Sequence, residues 1–389
     1  MSSKVRHIII LTHSYPSIFQ PLAGIFWKEQ AAFMASLGYQ MSVLAIVPIS
    51  WKDLFKKKKL FYSLKKVDQG VYVEMYCFPS IPFFHFLSCY ISKWIGIKKF
   101  NQLKSQKGQP DIVHLQRFEA GLLALKIKKK YQIPYIVTEH SSRFLLNQIG
   151  IVEHKLAKRV FQNASARMAV SPYLKKTLEN QFKHAFNYIP NGVDADFFNV
   201  QKINAKEDAA FVFFNAGNFT ENKNIAMLIR AFSQFQQEQP NSKLILAGDG
   251  PLKMEAQSLV HQMNLDAHID FTGRVNRIEM RSLFSKSDVY VLASSKETFG
   301  VVLIEALCMG KPVISTKCGG PESIVSDSSL GELCDISESG LFASMKKVYL
   351  QKDNYDNQTI RNSILHIFDQ RKIVDQYAQF YIDAIGEKN

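Results

Sequence analysis

Apolar residues gather in short continuous runs from end to end of the chain. The runs are Val5–Leu11, Met41–Val47, Val71–Phe78, Asp111–Leu115, Tyr135–Thr138 and Ala166–Val170, then Phe211–Ala216, Lys243–Ala247, Ile269–Phe271, Asp288–Leu292 and Pro312–Ser315. Runs of this length without polar alternation read as parallel strands buried on both faces. Helix-length segments separate them. After Asn222, for example, Ala226, Ile229, Phe232 and Phe235 recur on one helical face. This alternation predicts an α/β protein of two doubly wound, Rossmann-like domains in series. The polar stretch Gln201–Asp208 follows the turn Pro190-Asn191-Gly192 and marks the boundary. Residues 1–200 and 201–372 are then the two domains. A last periodic segment, 373–389, with Ile373, Tyr377, Phe380 and Ile385 on one face, reads as a terminal helix packing back toward the first domain.

Length and composition agree with this division. The chain has 389 residues, 47% of them apolar, enough for two sizeable cores and too much for disorder. Five cysteines form no CxxC pair, which argues against a disulfide framework or a zinc site. Phe78–Ile97 carries one formal charge, Lys93, but Pro79 and Pro82 break its start and several polar residues dilute it. It reads as a buried or interfacial helix, not a membrane span. No signal peptide is evident, and a cytoplasmic location is expected.

The net charge of +14 is unevenly placed. Residues 1–200 carry 28 Lys and Arg against 11 Asp and Glu, whereas residues 201–389 carry 20 against 23. Within the basic half, Trp51–Lys66 holds seven lysines and one aspartate with Trp51, Leu54, Phe55, Leu60, Phe61 and Leu64 interleaved. That pattern suits an anionic membrane surface, with a solvated basic helix as the plainer reading. No nucleic-acid-binding module accompanies it.

The chemistry-bearing segments sit where strands give way to helices, which is where open α/β sheets bind ligands. Glu297 and Glu305 flank the start of a helix expected over Gly300–Met309, whose first backbone N–H groups offer an anion site. An acidic cap and a surface glutamate would explain the same spacing. Lys223 closes the segment Gly217–Lys223 and can meet a phosphate as a point charge, or simply be solvated. Gly248-Asp249-Gly250-Pro251 and Gly319-Gly320-Pro321-Glu322 make two further turns on the same edge. In the first half, His140 ends the run Thr138-Glu139-His140, and Gly24 follows the first strand. Each has a structural alternative. Asp194-Ala195-Asp196 matches a metal-binding D-x-D pattern, but its place beside the boundary suits Asx turns better.

Taken in order, these segments resemble the retaining family-4, or group 1, glycosyltransferases of the GT-B fold. The resemblance rests on Tyr15-Pro16-Ser17 with Gly24, Thr138-Glu139-His140, Ile189–Asp194, Gly248–Pro251, Phe271–Val275, the E-x7-E pair Glu297 and Glu305, and Gly319–Glu322. It implies two Rossmann-like domains facing each other across a cleft, the first taking the acceptor and the second the nucleotide sugar. It also implies roles for matched residues. Glu305 would hold the nucleotide ribose. Glu297 would lie beside the donor sugar, with Phe299 and Gly300 offering backbone N–H groups. Lys223 would sit on the diphosphate, His140 on the reacting face of the sugar, and Gly24 in a loop over the phosphates. Arg274 and Val275 would floor the base pocket. One departure is Asn218, where the family commonly has arginine. It reduces a two-cation clamp to one matched cation and leaves Arg274 as the base that would reach in.

The expected activity is transfer of a sugar, with retention, from a nucleoside-diphosphate sugar to a saccharide or lipid-linked saccharide. Cell-surface polysaccharide assembly at the inner face of the membrane is the expected setting. The nucleotide sugar is a co-substrate, and no cofactor or metal is required. The alternatives are a nucleotide-sugar epimerase of related fold and a degenerate, non-catalytic nucleotide-binding scaffold.

Overall fold

A computed structural model of the protein describes residues 5–81, 85–199 and 210–386. The chain forms two compact units: Met1–Asn191 with Gln370–Asn389, and Gly192–Asp369. The stretch Gln201–Asp208, expected as the boundary, lies outside the described residues.

Unit 1 is built on β1 (His7–Thr12), β2 (Gln40–Ile49), β3 (Tyr62–Asp68), β4 (Val71–Pro79), β5 (Ile112–Gln116), β6 (Tyr135–Glu139), β7 (Ala166–Ala169) and β8 (Asn187–Tyr188). Their order is β3-β4-β2-β1-β5-β6-β7-β8, and only β3 runs antiparallel. Helices α1 (Ile25–Ser36), α2 (Trp51–Lys57), α3 (His85–Lys107), α4 (Gly121–Tyr131), α5 (Ile151–Asn163) and α6 (Pro172–Phe182) connect them. Every residue of β1, β5 and β6 is buried, as expected of strands covered on both faces.

Unit 2 holds β9 (Phe211–Ala216), β10 (Ser242–Ala247), β11 (Ile269–Gly273), β12 (Val289–Leu292), β13 (Val313–Thr316) and β14 (Gly331–Cys334) in the order β11-β10-β9-β12-β13-β14. All its pairings are parallel. Its helices are α7 (Ile225–Glu238), α8 (Lys253–Gln262), α9 (Arg277–Lys286), α10 (Val301–Cys308), α11 (Glu338–Leu350) and α12 (Asn357–Phe368). On α7 the apolar face is Leu228, Ile229, Phe232 and Phe235, all buried in the core beneath the sheet. The last helix, α13 (Gln370–Gly386), belongs to unit 1 and buries Ile373, Val374, Tyr377 and Tyr381 in that unit's core.

In each sheet the strand order reverses once, between β1 and β5 and between β9 and β12. Connections leave these neighbours in opposite directions, which opens a crevice at their carboxyl ends. Lys223 and Glu297 meet at the reversal of the second sheet, whereas Arg274 and Val275 follow the edge strand β11.

The basic stretch Trp51–Lys66 is not one helix. Helix α2 stops at Lys58, which is left-handed, and the chain continues into β3 on the sheet edge. Gln69 and Gly70 both have positive φ, the signature of a two-residue hairpin turn joining β3 to β4. Among the described residues no helix is long and apolar enough to cross a membrane.

Candidate active site

In unit 2 the site begins with two asparagines. Asn222 donates its side-chain N–H to the Lys296 carbonyl at 2.9 Å and accepts from the Lys296 N–H at 3.1 Å. Asn224, left-handed at φ 48°, donates to the Ala293 carbonyl and to Ser295 Oγ. Together they clamp the loop after β9 onto the loop after β12, across the strand reversal. This places Lys223 Nζ in an ion pair with Glu297 Oε1, which also accepts from Ser294 Oγ at 2.8 Å. The Glu297 backbone bonds Cys318 and Gly320 on the next loop, fixing the glutamate from a second side. The asparagines do not stand out in the sequence, because their partners lie about seventy residues away.

Gly300 caps α10 at φ 100°, a conformation glycine adopts at little cost. The first N–H groups of α10 open at this edge without intrahelical acceptors. The Phe299 side chain does not line the opening. It is buried against the Phe368 ring, 5.7 Å between centroids. Gly248 has φ 143°, and a Cβ there would lie 1.8 Å from the Gly217 carbonyl oxygen. The glycine therefore serves close approach of two loops, a stricter demand than a plain turn.

Glu305, farther along α10, is 1% exposed and accepts from Arg277 Nη1 at 2.5 Å. Burial raises its pKa above the usual glutamate range, and Arg277 opposes that shift. Arg277 opens α9 and lies over the Phe198 ring at 4.8 Å. No local pattern in the sequence pairs it with Glu305. Arg274 is largely exposed, 3.6 Å from Asp249 Oδ2, and Val275 is half-buried beside it. Asn218 is exposed. Asp194 Oδ1 accepts from the N–H groups of Asp196 and Phe197, the geometry of an Asx turn.

Unit 1 has its own cluster. Gly24 has φ 70°, and a Cβ there would meet Ser14 O at 2.4 Å and Trp27 Nε1 at 2.5 Å. This room lets the Trp27 indole fold back and donate to Ser14 O at 2.7 Å. The indole then faces the His140 ring, 5.5 Å away. The structure thus links Gly24 to His140 through Trp27, which the sequence did not single out. His140 Nε2 lies 2.8 Å from Gln116 Oε1 at the end of β5. Burial pushes the His140 imidazole down to about 3, helped by the Arg117 charge, so the ring is neutral. Glu139 accepts three backbone N–H bonds, from Phe118, His140 and Ser141, which fix the loop carrying His140. Arg117, beside this cluster, is held at φ 67°, ψ 149° and pairs with Glu119.

Comparison with known proteins fits this layout. Residues 23–197 match the model of Glycosyltransferase Family 4, and residues 196–365 match that of Glycosyl transferases group 1. The chain is 24% identical over 335 residues to the alpha-monoglucosyldiacylglycerol synthase of Streptococcus pneumoniae, covering 80% of this chain and 74% of that one. Its fold resembles sucrose-phosphate synthase from Thermosynechococcus elongatus, with a TM-score of 0.79 at 19% identity over 97% of this chain and 98% of the other. It also resembles Anabaena HepE solved with UDP and glucose, with a TM-score of 0.72 at 17% identity over 96% and 98%. With its two parallel-dominated sheets and consecutive matches to both family models, the chain belongs to the family-4, group 1 glycosyltransferases of the GT-B fold.

Proposed function

We propose that this protein moves a sugar from a nucleoside-diphosphate sugar to a saccharide or lipid-linked saccharide in the assembly of a cell-surface polysaccharide or glycolipid. The observation that carries the reading is the Lys223–Glu297 pair, held at the strand reversal of unit 2 beside the first turn of α10. Departure of the diphosphate builds negative charge. Lys223 and the N–H groups at the start of α10 supply fixed positive charge for it without a proton transfer. Glu297 orients Lys223 and stands at the sugar. Glu305, held by Arg277, keeps a carboxylate oxygen for the ribose hydroxyls. The acceptor hydroxyl attacks on the face the diphosphate leaves and passes its proton to the departing phosphate oxygen, giving retention. With Lys223 and these N–H groups in place, the reaction needs no metal ion. The UDP bound by HepE and the lipid product named for the pneumococcal relative support these classes of donor and acceptor.

The membrane face lies in unit 1. Phe55, Leu60 and Phe61 are 70%, 53% and 59% exposed among Lys56–Lys59. Each lysine near an anionic surface contributes roughly 1 kcal/mol, and the apolar tips enter the headgroup layer. These features support a reading in which the protein works at the cytoplasmic leaflet.

The test is incubation with a panel of nucleotide sugars and a membrane extract, reading free nucleoside diphosphate and labelled glycolipid. Both products support transfer. An altered nucleotide sugar without free diphosphate indicates an epimerase, and binding without turnover indicates a scaffold. For the membrane face, replacing Lys56, Lys57, Lys58 and Lys59 with glutamine lowers binding to anionic liposomes and leaves nucleotide affinity unchanged. Equal binding to neutral and anionic vesicles would reject that assignment.

A further inference from the structure

A buried polar network in unit 1 runs from α13 to His140, and every link lies within that unit. Tyr377 Oη is 3.1 Å from Thr138 Oγ1, and Thr138 Oγ1 is 2.7 Å from His114 Nε2. On the other side of the ring, His114 Nδ1 is 2.8 Å from Tyr381 Oη, which lies 3.9 Å from Met34 Sδ. Two residues along β5, Gln116 places Nε2 3.4 Å from both His114 Nε2 and Gln30 Oε1. Its Oε1 reaches His140 Nε2 at 2.8 Å. His114, Gln116 and Thr138 are at most 1% exposed, so bulk water does not reach these bonds.

The donors and acceptors follow from what each group can do. Among the described residues Thr138 is the one hydrogen-bond partner of Tyr377 Oη. A buried hydroxyl proton without an acceptor is costly, so Tyr377 donates to Thr138. Thr138 then donates to His114 Nε2, which must carry the lone pair. The single proton of the neutral His114 ring sits on Nδ1 and goes to Tyr381, whose own proton faces Met34 Sδ. A lone pair at His114 Nε2 turns the amide N–H of Gln116 toward it. The amide oxygen of Gln116 therefore faces His140 and accepts from Nε2–H. Reversing the whole chain would leave the Tyr377 proton unmatched.

We infer that helix α13 sets the tautomer of His140, through His114 and with Gln116 as the positioning residue, so that the ring keeps its proton on Nε2 and offers its Nδ1 lone pair to a sugar hydroxyl. The inference of function rests on His140 facing the sugar, as proposed above. The tautomer itself does not. Burial pushes both imidazoles down to about 3, so both rings stay neutral at physiological pH. In this state His140 accepts a hydrogen bond at Nδ1. The opposite tautomer would present a donor there and repel a hydroxyl proton.

The test uses the full chain labelled with 15N-histidine. Ring nitrogen spectra separate N–H from bare nitrogen, and His140→Ala identifies the signal. The expected wild-type form is Nε2–H. Tyr377→Phe, which keeps the ring and its packing, and Gln116→Leu shift His140 toward a mixture. They lower turnover roughly tenfold, the scale of one buried hydrogen bond, while nucleoside diphosphate affinity stays within about twofold. Gln116→Glu, which still accepts from Nε2–H, restores the tautomer and moves the acid limb of the pH–rate profile upward. A wild-type Nδ1–H form, or an Nε2–H population unchanged in both Tyr377→Phe and Gln116→Leu, overturns the relay. Wild-type turnover in His140→Ala overturns the assignment of His140 to the sugar instead, with the spectra still deciding the tautomer.

Discussion

Arg277 and Glu305 allow a prediction that can be worked through in numbers. Glu305 is 1% exposed, and Arg277 supplies its cation at 2.5 Å. Arg277→Met keeps an aliphatic side chain over Phe198 but removes the charge. At pH 8 an unpaired buried carboxylate costs about 3–5 kcal/mol. The glutamate can escape only by taking up a proton. From an ordinary value of 4.5, protonation at pH 8 costs about 4.8 kcal/mol, and at pH 5.5 about 1.4 kcal/mol, at 1.36 kcal/mol per pH unit. The variant's folded pKa lies above its unfolded value, so its stability is greatest below about 4.5 and is lost as pH rises. Arg277→Met should therefore cost about 3–5 kcal/mol at pH 8 and no more than about 1.4 kcal/mol at pH 5.5 from the charge. Packing losses are common to both pH values and cancel in the difference. Adding Glu305→Gln should recover most of the loss at pH 8. The assay is calorimetric unfolding, because Trp27, Trp51 and Trp94 all lie in unit 1 and their fluorescence would miss unit 2. An equal loss at both pH values would refute the reasoning.

Other predictions are more direct. Glu305→Ala should weaken nucleoside diphosphate binding by about 1.5–3 kcal/mol, the worth of a hydrogen bond to a charged group, as read by isothermal calorimetry. Glu297→Ala and His140→Ala should lower turnover more than nucleotide affinity; wild-type turnover in either would remove that residue from the sugar site. Gly248→Ala should destabilise unit 2 by at least about 1–3 kcal/mol, because φ 143° and a Cβ 1.8 Å from a backbone oxygen leave no room. His114, pushed down to about 3 by burial, stays neutral when folded. The unfolded chain binds one more proton below about 6.5, so between there and pH 3 this residue should cost unit 1 about 1.36 kcal/mol per pH unit as the solution is acidified. His114→Gln should flatten that slope in tryptophan-monitored unfolding.

Much of this protein is legible in its sequence, for a local reason. Strands buried on both faces must be apolar throughout, so the central strands of both sheets announce themselves as runs. Strand β3 does not, because an edge strand with a solvent face can be as charged as Ser63-Leu64-Lys65-Lys66-Val67-Asp68. Glycines at strand ends are visible because their backbone demands are local. Gly24 and Gly248 read as turn or approach residues, but what approaches them is not readable: an indole in one case, a carbonyl in the other.

The candidate residues thus stand out singly, by type and by position at strand ends, and their roles are what the resemblance implies. Only the folded chain decided which of them meet. Lys223 reaches Glu297 because Asn222 and Asn224 tie two loops distant in sequence, and no local pattern encodes a bond across that separation. The resemblance implies a ribose ligand at Glu305. Its burial, and the arginine at the start of α9 that makes that burial tolerable, are decided by the folded chain. Likewise, Tyr377 reads from the sequence as part of the apolar face of a terminal helix, a face on which Tyr381 is not expected, yet both are buried. Their hydroxyls acquire meaning only where α13 brings them against His114 and Thr138, more than two hundred residues away in the chain. Hydrophobic periodicity fixes which side of an element is buried. The polar partners it meets there depend on how elements far apart in sequence come together, and that is a property of the tertiary structure alone.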